Sequence, residues 1–357
     1  PDGIVYANAV SFERIDNRNA IVAAASYDGG LTWTNVTRLV DFETNGGQFS
    51  TDKNSITANP KLPGVAYSVW DTLIGPTDQP DDNPHAQAFT GPGFFSMTSD
   101  GGRTWSAPRV IFPTTERNQT IGNIIVVDPN HPNVLYDFTN WIIQPATFKK
   151  EHDQIAFIKS TDGGATWSTP RAIRDMNVIA VTDPNTGALI RTGDILPEPA
   201  IDPSTGQLYI VYQTTDLSGG AFDEVALITS TDGGATWSEP VRVNTPTGAQ
   251  AFTPSVAVNS AGQVGVTYYD FRNLQPGNAT TLPTDYFIRI SSDHGQTFAP
   301  DVHITGSFDM LTAPFARGFF VGDYEALGVA GTTFIPFFVA ANSGNTSNRT
   351  DVFATRI

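Results

Sequence analysis

Three short stretches of this 357-residue chain carry carboxylates that could do acid–base chemistry. Asp52 precedes Lys53, Glu198 stands between two prolines, and Asp323 and Glu325 are two residues apart. Side chains two residues apart on a strand point to the same face. Two like charges in one site raise the pKa of one carboxylate, which suits a general acid. The residues predicted to act as acid, base or nucleophile are Asp52, Glu198, Asp323 and Glu325.

A tyrosine and an arginine suggest a second chemistry. Tyr269 lies just before Arg272, and His85 lies in a long loop. A tyrosine or histidine base, with an arginine that neutralises a carboxylate, would support elimination from a uronic acid, whereas a pair of carboxylates supports hydrolysis. Tyr269 therefore joins the predicted catalytic residues, and both reactions stay open.

Aromatic and polar residues beside these groups predict a carbohydrate pocket, because aromatic rings stack on sugar rings and a few polar groups orient the ligand. The residues predicted to bind substrate are Lys53, Trp70, Asp71, His85, Trp141, Arg272 and Arg317. Several of these residues also have a structural explanation. Asp52 and Lys53 could form a surface ion pair, and Tyr269 could simply pack.

A repeated octapeptide indicates the elements that position these residues. Ser160–Trp167 recurs letter for letter at Ser230–Trp237, and its relaxed copies are Ser26–Trp33, Thr98–Trp105 and Ser291–Phe298. The aspartate and hydroxyl side chains can accept backbone N–H bonds, and the glycines can adopt positive φ, so each copy is predicted to be a hairpin turn. The aspartates recur every 61 to 72 residues, which is typical of four-stranded propeller blades.

This period predicts an all-β, six-bladed β-propeller, with seven blades as the alternative, in a single domain over residues 1–357. Each turn is placed between the third and fourth strands of its blade. Residues 3–10 then form a second strand with no inner strand ahead of it, and residues 351–357 end a last blade that has no turn. We therefore expect the first and last blades to be incomplete.

The long loops are predicted to lie opposite the turns, on the face where the strands bring the candidate residues together. They cover residues 72–89, 140–153, 271–284 and 341–349, and they are irregular in length and sequence. Irregular loops on a rigid scaffold usually carry the binding site. The repeated turns are therefore predicted to be structural.

Composition excludes several other functions. The net charge of −16 argues against nucleic acid and anionic membranes as partners, because both attract basic surfaces. The chain has no cysteine, and its five histidines lack the spacing of a metal site, so no cofactor is expected. One acidic loop could hold a structural calcium ion, and its residues are Asp78, Asp81, Asp82 and Asn83.

The sequence also favours secretion. No apolar run is long enough to span a bilayer, and the abrupt start suggests a processed chain whose leader has gone. Five N-x-Ser/Thr sequons are potential glycosylation sites, at Asn35, Asn118, Asn278, Asn345 and Asn348. We expect an extracellular monomer with a glycan or polysaccharide as its partner.

The pattern Ser-x-Asp-x-Gly-x-Thr-Trp resembles the Asp-box, or bacterial neuraminidase repeat, of the sialidase superfamily. This resemblance covers nearly the whole chain and implies a propeller of six, sometimes seven, blades. Sialidases use an arginine triad, an aspartate acid/base, and a tyrosine nucleophile assisted by a glutamate. Their Phe/Tyr-Arg-Ile-Pro motif does not occur here, and Phe12–Asp16 is the nearest string.

The resemblance implies a carbohydrate-active protein, since Asp-box propellers include hydrolases, lyases and non-enzymatic receptors. The segments around Asp52 and Asp323 look like those of uncharacterised sialidase-like proteins. The first functional hypothesis is a secreted exo-acting glycoside hydrolase, exo-α-sialidase-like, that removes terminal sugars. The alternatives are a polysaccharide lyase on uronic-acid glycans and a non-catalytic carbohydrate-binding propeller.

Overall fold

The computed structural model describes residues 2–43, 47–78, 89–144, 152–245, 247–342 and 344–357. These residues form two compact units, unit 1 over residues 1–175 and unit 2 over residues 176–357. Apart from two 3₁₀ turns, at Asp216–Ser218 and Met310–Thr312, the regular elements described are all strands. The all-β fold class is therefore confirmed, while the six blades and the single domain stay predictions.

Unit 1 contains twelve described strands. They are β1 (Val5–Phe12), β2 (Asn19–Ser26), β3 (Thr34–Phe42), β4 (Phe49–Ala58), β5 (Ala66–Ile74), β6 (Thr90–Gly91), β7 (Gly93–Thr98), β8 (Arg109–Phe112), β9 (Asn118–Val127), β10 (Leu135–Ile143), β11 (His152–Ser160) and β12 (Arg171–Asp175). Antiparallel pairing orders them as β1-β2-β3, β4-β5-β7-β8 and β9-β10-β11-β12. The short strand β6 joins the last two sheets by pairing with both β5 and β9.

Unit 2 contains thirteen described strands. They are β13 (Ile190–Arg191), β14 (Glu198–Ile201), β15 (Leu208–Thr214), β16 (Glu224–Ser230), β17 (Val241–Arg242), β18 (Ala251–Val258), β19 (Val264–Asp270), β20 (Pro283–Ser291), β21 (Val302–Asp309), β22 (Phe319–Phe320), β23 (Ala326–Ala330), β24 (Thr333–Ala341) and β25 (Thr350–Ala354). The antiparallel sheets are β14-β15-β16-β17, β18-β19-β20-β21 and β23-β24-β25. The strands β13 and β22 form a separate parallel pair.

The predicted place of the turns is confirmed. Each octapeptide joins the last two strands of its sheet, as Ser160–Trp167 does between β11 and β12. Among the described residues, the first sheet has three strands and starts at β1, and the final sheet has three strands and ends at β25.

The aspartate of each octapeptide closes the turn through its carboxylate. In the copy at Ser160–Trp167, Asp162 accepts bonds from the Thr166 backbone nitrogen at 2.8 Å, the Thr166 hydroxyl at 2.6 Å and the Ser160 hydroxyl at 2.8 Å. These bonds, led by the one from the Thr166 hydroxyl, lower the pKa of Asp162 to about 2. The other copies repeat the same carboxylate–threonine bonds.

The same turn packs against the preceding blade. Gly164 has a φ of 88°, and a Cβ atom there would lie 2.8 Å from the Phe95 ring, so only glycine fits. Trp167 meets Phe95 edge to face, with ring centroids 5.7 Å apart. The turn therefore connects neighbouring sheets as well as neighbouring strands.

The second strands β5, β15 and β19 are largely buried and belong to the core of their units. All residues of β15 and β19 are buried, and so are the first seven of β5. Acidic residues also lie in second strands, and one of them is Asp137 in β10, which has no exposed surface and accepts a hydrogen bond from the Asn123 amide at 2.8 Å. Burial raises the pKa of Asp137 to about 7.

No helix among the described residues is long and apolar enough to cross a membrane.

We expect Asp162→Ala to lower the melting temperature by roughly 2 to 6 °C, because three donors lose their acceptor and the contact with Phe95 loosens. Glu116→Ala removes the same charge from an exposed loop and serves as the control. Thermal unfolding followed by circular dichroism measures both variants. Equal melting temperatures for the two variants would contradict the structural role of the turn.

The pKa values predict a stability maximum near pH 4 to 5. The turn aspartates, such as Asp100 and Asp162, have depressed pKa values, so their stabilisation is present above about pH 4 and is lost as the pH falls towards 2. Asp137 has a raised pKa, so its contribution is complete below about pH 4 and is lost as the pH rises through 7.

Replacing Asp137 by asparagine tests the alkaline side of this profile. Because asparagine stays neutral, Asp137→Asn should raise the melting temperature at pH 8 by roughly 3 to 8 °C relative to wild type, and should have little effect at pH 4. Melting curves from pH 3 to pH 9 measure the difference. An equally steep alkaline decline in both proteins would show that Asp137 does not contribute to it.

Candidate functional site

One position at the end of the second strand recurs in four sheets and carries a polar side chain each time. In each of these sheets, one residue of the second strand pairs with the first residue of the octapeptide turn. The recurring position lies five residues further along the second strand. The residues at this position are Asp71, Asn140, Gln213 and Tyr269. This repeat relates several predicted site residues that are far apart in the sequence.

In unit 1 this position brings Asp71 opposite Asp52, across β4 and β5. Asp71 is buried, and burial, with a smaller effect of the Asp52 charge, raises its pKa to about 8. The Gly122 backbone N–H donates to the Asp71 carboxylate, which opposes that rise. Asp52 itself is exposed, so one carboxylate of this pair reaches solvent and the other fixes the next inner strand.

The strand β4 bulges directly after Asp52. Its register shifts between Asp52 and Ser55, and Lys53 adopts a φ of 40°. Positive φ is strained for lysine and is more common at functional sites than elsewhere. The Lys53 backbone nitrogen donates to the Asp52 carboxylate at 2.8 Å.

The two predicted tryptophans of unit 1 pack among other rings. Trp70 has no exposed surface and stacks on Phe94 at 5.9 Å, so the indole offers no surface to a ligand in this structure. Trp141 is half-buried and meets Phe112 edge to face at 5.6 Å.

In unit 2, Gln213 connects a backbone nitrogen with a buried carboxylate. Its amide oxygen accepts the Thr253 backbone N–H at 2.8 Å, and its amide nitrogen donates to Asp223 at 3.0 Å. Thr253 has a φ of 48° at a bulge in β18. Gln213 thus holds the bulge of the next inner strand in place. Asp71 has a similar role in unit 1, where its carboxylate accepts the Gly122 backbone N–H.

Asp223 is a fully buried carboxylate that the sequence-based predictions missed. It also accepts the Ile179 backbone N–H at 3.0 Å. Burial raises its pKa to about 7, and the nearby charge of Asp194 adds to the rise. The available signal was its place directly before β16, where an acidic residue adjoins an apolar strand.

Glu198 begins the inner strand β14 and is only partly exposed. Among the described residues its carboxyl group has no hydrogen-bond partner, and burial raises its pKa to about 8. The following Pro199 is tolerated because β14 is the edge strand of its sheet, where proline costs no ladder bond. Glu198 pairs with Val211, so its side chain lies on the same face of the sheet as that of Gln213.

Tyr269 and Glu325 are in contact, but the tyrosine is inaccessible. The Tyr269 hydroxyl lies 3.0 Å from the Glu325 carboxylate, and it contacts the Val339 backbone oxygen at 2.7 Å and nitrogen at 3.0 Å. Tyr269 has no exposed surface. Burial raises the pKa of Tyr269 well above its usual value and raises that of Glu325 to about 8.

Asp323 and Arg272 are both engaged in ion pairs. Asp323 accepts two bonds from the Arg191 guanidinium, at 3.0 and 2.9 Å. Arg272 contacts the carboxylates of Asp270 and Asp301, and its guanidinium stacks on the Phe287 ring at 3.5 Å. These contacts leave little of either group for a substrate.

Arg272 also lines a cleft of about 490 Å³ in unit 2. The polar side chains that line the cleft already form hydrogen bonds within the protein. The Gln250 amide bonds to the Thr182 backbone, and the Asn185 amide bonds to the Gln275 backbone oxygen. A ligand site usually offers a few convergent polar groups, and this cleft offers few.

The remaining predicted residues are dispersed. Arg317 is exposed and has a φ of 63°, while His85, Asp81, Asp82 and Asn83 lie outside the described residues. Of the sequon asparagines, Asn35, Asn345 and Asn348 are exposed, and Asn118 and Asn278 are half-buried. Calcium binding, glycosylation and the roles of all the residues above stay predictions.

Comparison with known proteins agrees with the turns and the fold. The BNR/Asp-box repeat family model matches residues 228–239. No curated protein sequence matches the chain. The resemblance to solved structures extends over its whole length.

Two of these structures are sialidases. The Hadza microbial sialidase Hz136 has a TM-score of 0.56 at 16% identity, over 100% of this chain and 64% of that one. The K499G mutant of NanB sialidase from Streptococcus pneumoniae has a TM-score of 0.56 at 14% identity, over 99% and 66%. This chain therefore spans about two thirds of the length of these sialidases.

A third structure belongs to another class of enzyme. The PL25 ulvan lyase bound to -[GlcA(1-4)Rha3S]- has a TM-score of 0.54 at 11% identity, over 100% of this chain and 78% of that one. At such identities the likeness shows the fold alone. The BNR/Asp-box repeat match confirms the predicted Asp-box turn at residues 230–237, and the likeness to these structures shows a fold shared with sialidases.

Proposed function

We propose that this protein is a secreted, exo-acting glycoside hydrolase in which Glu198 is the general acid. A carbohydrate-active role fits the structural relatives, which include sialidases and an ulvan lyase. Secretion is part of the proposal and is supported by the five sequons. The catalytic assignment is supported by the Glu198 carboxyl group, which has no hydrogen-bond partner among the described residues and whose pKa is raised to about 8 by burial.

Glu198 differs from the other predicted carboxylates of unit 2 because its carboxyl group is not held by a hydrogen bond or ion pair among the described residues. Asp323 is held by Arg191 and Glu325 contacts Tyr269, whereas Glu198 has no hydrogen-bond partner among the described residues. With a pKa of about 8 it is protonated at neutral pH and partly open to solvent. A carboxylic acid in this state can protonate the oxygen of a leaving sugar.

The rigid surroundings of Glu198 support this role. Strand β14 is paired with β15, whose residues are all buried, so the backbone of the acid is fixed. On the same face, Gln213 holds the Thr253 bulge of β18 in place. A catalytic group positioned by strands needs little rearrangement to react.

The lyase alternative receives less support from the same geometry. Elimination with Tyr269 as the base would need an accessible hydroxyl, and Tyr269 is fully buried with its hydroxyl bonded to the Val339 backbone. His85, the other predicted base, lies outside the described residues. The neutralising arginine would be Arg272, which already pairs with Asp270 and Asp301. Protonation of the leaving oxygen by Glu198, as the glycosidic bond breaks, needs neither Tyr269 nor Arg272 to be freed.

Glu198→Gln should lower the hydrolysis rate about 10²- to 10⁴-fold, because the amide cannot donate a proton to the leaving oxygen. The fold should be retained, since glutamine resembles the neutral acid. Wild-type activity should fall as the pH rises through about 8, where Glu198 loses its proton. Glu239→Gln, an exposed residue beside a repeated turn, is the matched control.

The assay is a digestion panel of sialylated, arabinan and uronate-containing substrates, read for reducing ends and for unsaturated uronate products. Full activity of Glu198→Gln would refute its role as the acid. Unsaturated products would instead identify a lyase, and no release from any substrate by wild type would refute the hydrolase for these substrate classes.

A further inference from the structure

We propose that the hairpin of residues 314–320 is a preformed binding loop for an acidic saccharide, in which Phe315 stacks on a sugar ring and Arg317 bonds to an anionic substituent. The proposal rests on the carbohydrate part of the proposed function and adds a recognition site to it. It requires no catalytic role for Glu198.

The hairpin is closed by its own bonds. The Ala316 backbone N–H donates to the Gly318 oxygen at 2.8 Å, and the Phe320 N–H donates to the Pro314 oxygen at 2.9 Å. Phe315 and Phe319 form an antiparallel bridge, and their rings meet edge to face at 5.5 Å. These contacts give the loop a defined shape without a ligand.

A second segment of unit 2 fixes the hairpin from one side. Strand β22 pairs with β13, and the Phe319 N–H donates to the Leu189 oxygen at 2.9 Å. A Cβ atom at Gly318 would lie 2.7 Å from the Arg191 nitrogen, so the two backbones approach as closely as only glycine allows. The Arg191 guanidinium covers the Phe320 ring at 4.4 Å while it binds Asp323.

The tip of this fixed hairpin exposes an aromatic ring and a cation. Phe315 is 68% exposed although it is a large apolar residue. Arg317, two residues on, is exposed at a φ of 63°, and among the described residues no hydrogen bond or ion pair to its side chain is found.

This pair of side chains fits an acidic sugar better than an apolar partner. The C–H face of a sugar ring packs against the negative face of an aromatic ring, and a guanidinium makes paired bonds to a carboxylate or sulfate. The ion pair of Arg191 and Asp323 behind the hairpin makes the surroundings polar, which suits the hydroxyl groups of a sugar. Because the loop is already ordered, little conformational entropy is lost on binding.

Affinity electrophoresis through gels that contain soluble ulvan or, separately, branched arabinan tests the proposal. All proteins carry Glu198→Gln, so that digestion does not interfere. Ulvan, with its uronate and sulfate groups, should retard the protein more strongly than neutral arabinan. Phe315→Ala should weaken ulvan binding about tenfold, and Phe315→Trp should restore it.

Two further variants separate the parts of the loop. Arg317→Ala should reduce binding to ulvan and remove its advantage over arabinan. Gly318→Ala keeps both contact residues but forces the hairpin away from β13, so it should also weaken binding. Phe337→Ala, which removes a ring that is 48% exposed on β24, is the matched control and should bind as the parent does.

Unchanged ulvan binding by Phe315→Ala, or no retardation in either gel, would overturn the proposal. So would self-association that Phe315→Ala abolishes without any retardation by ulvan, because that result assigns the hairpin to a protein interface. If Glu198→Gln proves fully active in the hydrolysis assay but the ulvan results hold, the proposed acid fails and the binding loop stands.

Discussion

The bond between an aspartate carboxylate and a threonine four residues later is the interaction on which the sheets of this protein depend. It closes the hairpin between the last two strands of a blade, as Asp162 and Thr166 show. The closed turn then presents Gly164 and Trp167 to Phe95 of the preceding blade. One local constraint therefore sets both the pairing within a sheet and the packing of neighbouring sheets.

The strands fixed in this way bury several acids at the opposite ends of the blades. Burial favours the neutral form of a carboxyl group, and the effects are large at Asp71 and Glu198, whose pKa values rise to about 8. Asp71 uses its position to hold a backbone N–H of the next inner strand. Glu198 has no such bond, and this difference separates a structural acid from a candidate catalytic one.

Much of the fold could be predicted from the sequence because the turn signal is local. Each residue type in Ser160–Trp167 has one dominant role in a hairpin turn, so the turns and the order of the strands around them were predicted correctly. The start of a blade at Glu198 followed from the same spacing. Blade count does not follow from these local signals.

The candidate site was predicted less well because burial and pairing are non-local. Tyr269 and Arg272 were both predicted to face a substrate. In the structure, Tyr269 is bonded to the Val339 backbone and Arg272 lies between Asp270 and Asp301. No local pattern in the sequence marks Arg191 as a partner of Asp323, because the two residues are far apart in the chain. Asp223 went unnoticed because nothing local shows that an acid before a strand is fully enclosed.

Glu198 is proposed to be protonated at neutral pH, and a carbon-13 NMR titration of glutamate side-chain carboxyl groups measures its protonation. One resonance should titrate near pH 8 and disappear in Glu198→Gln. The resonance of Glu325 should titrate in the same range and remain in that variant. A Glu198 resonance that titrates near pH 4 to 5, the range of an ordinary glutamate, would contradict the account.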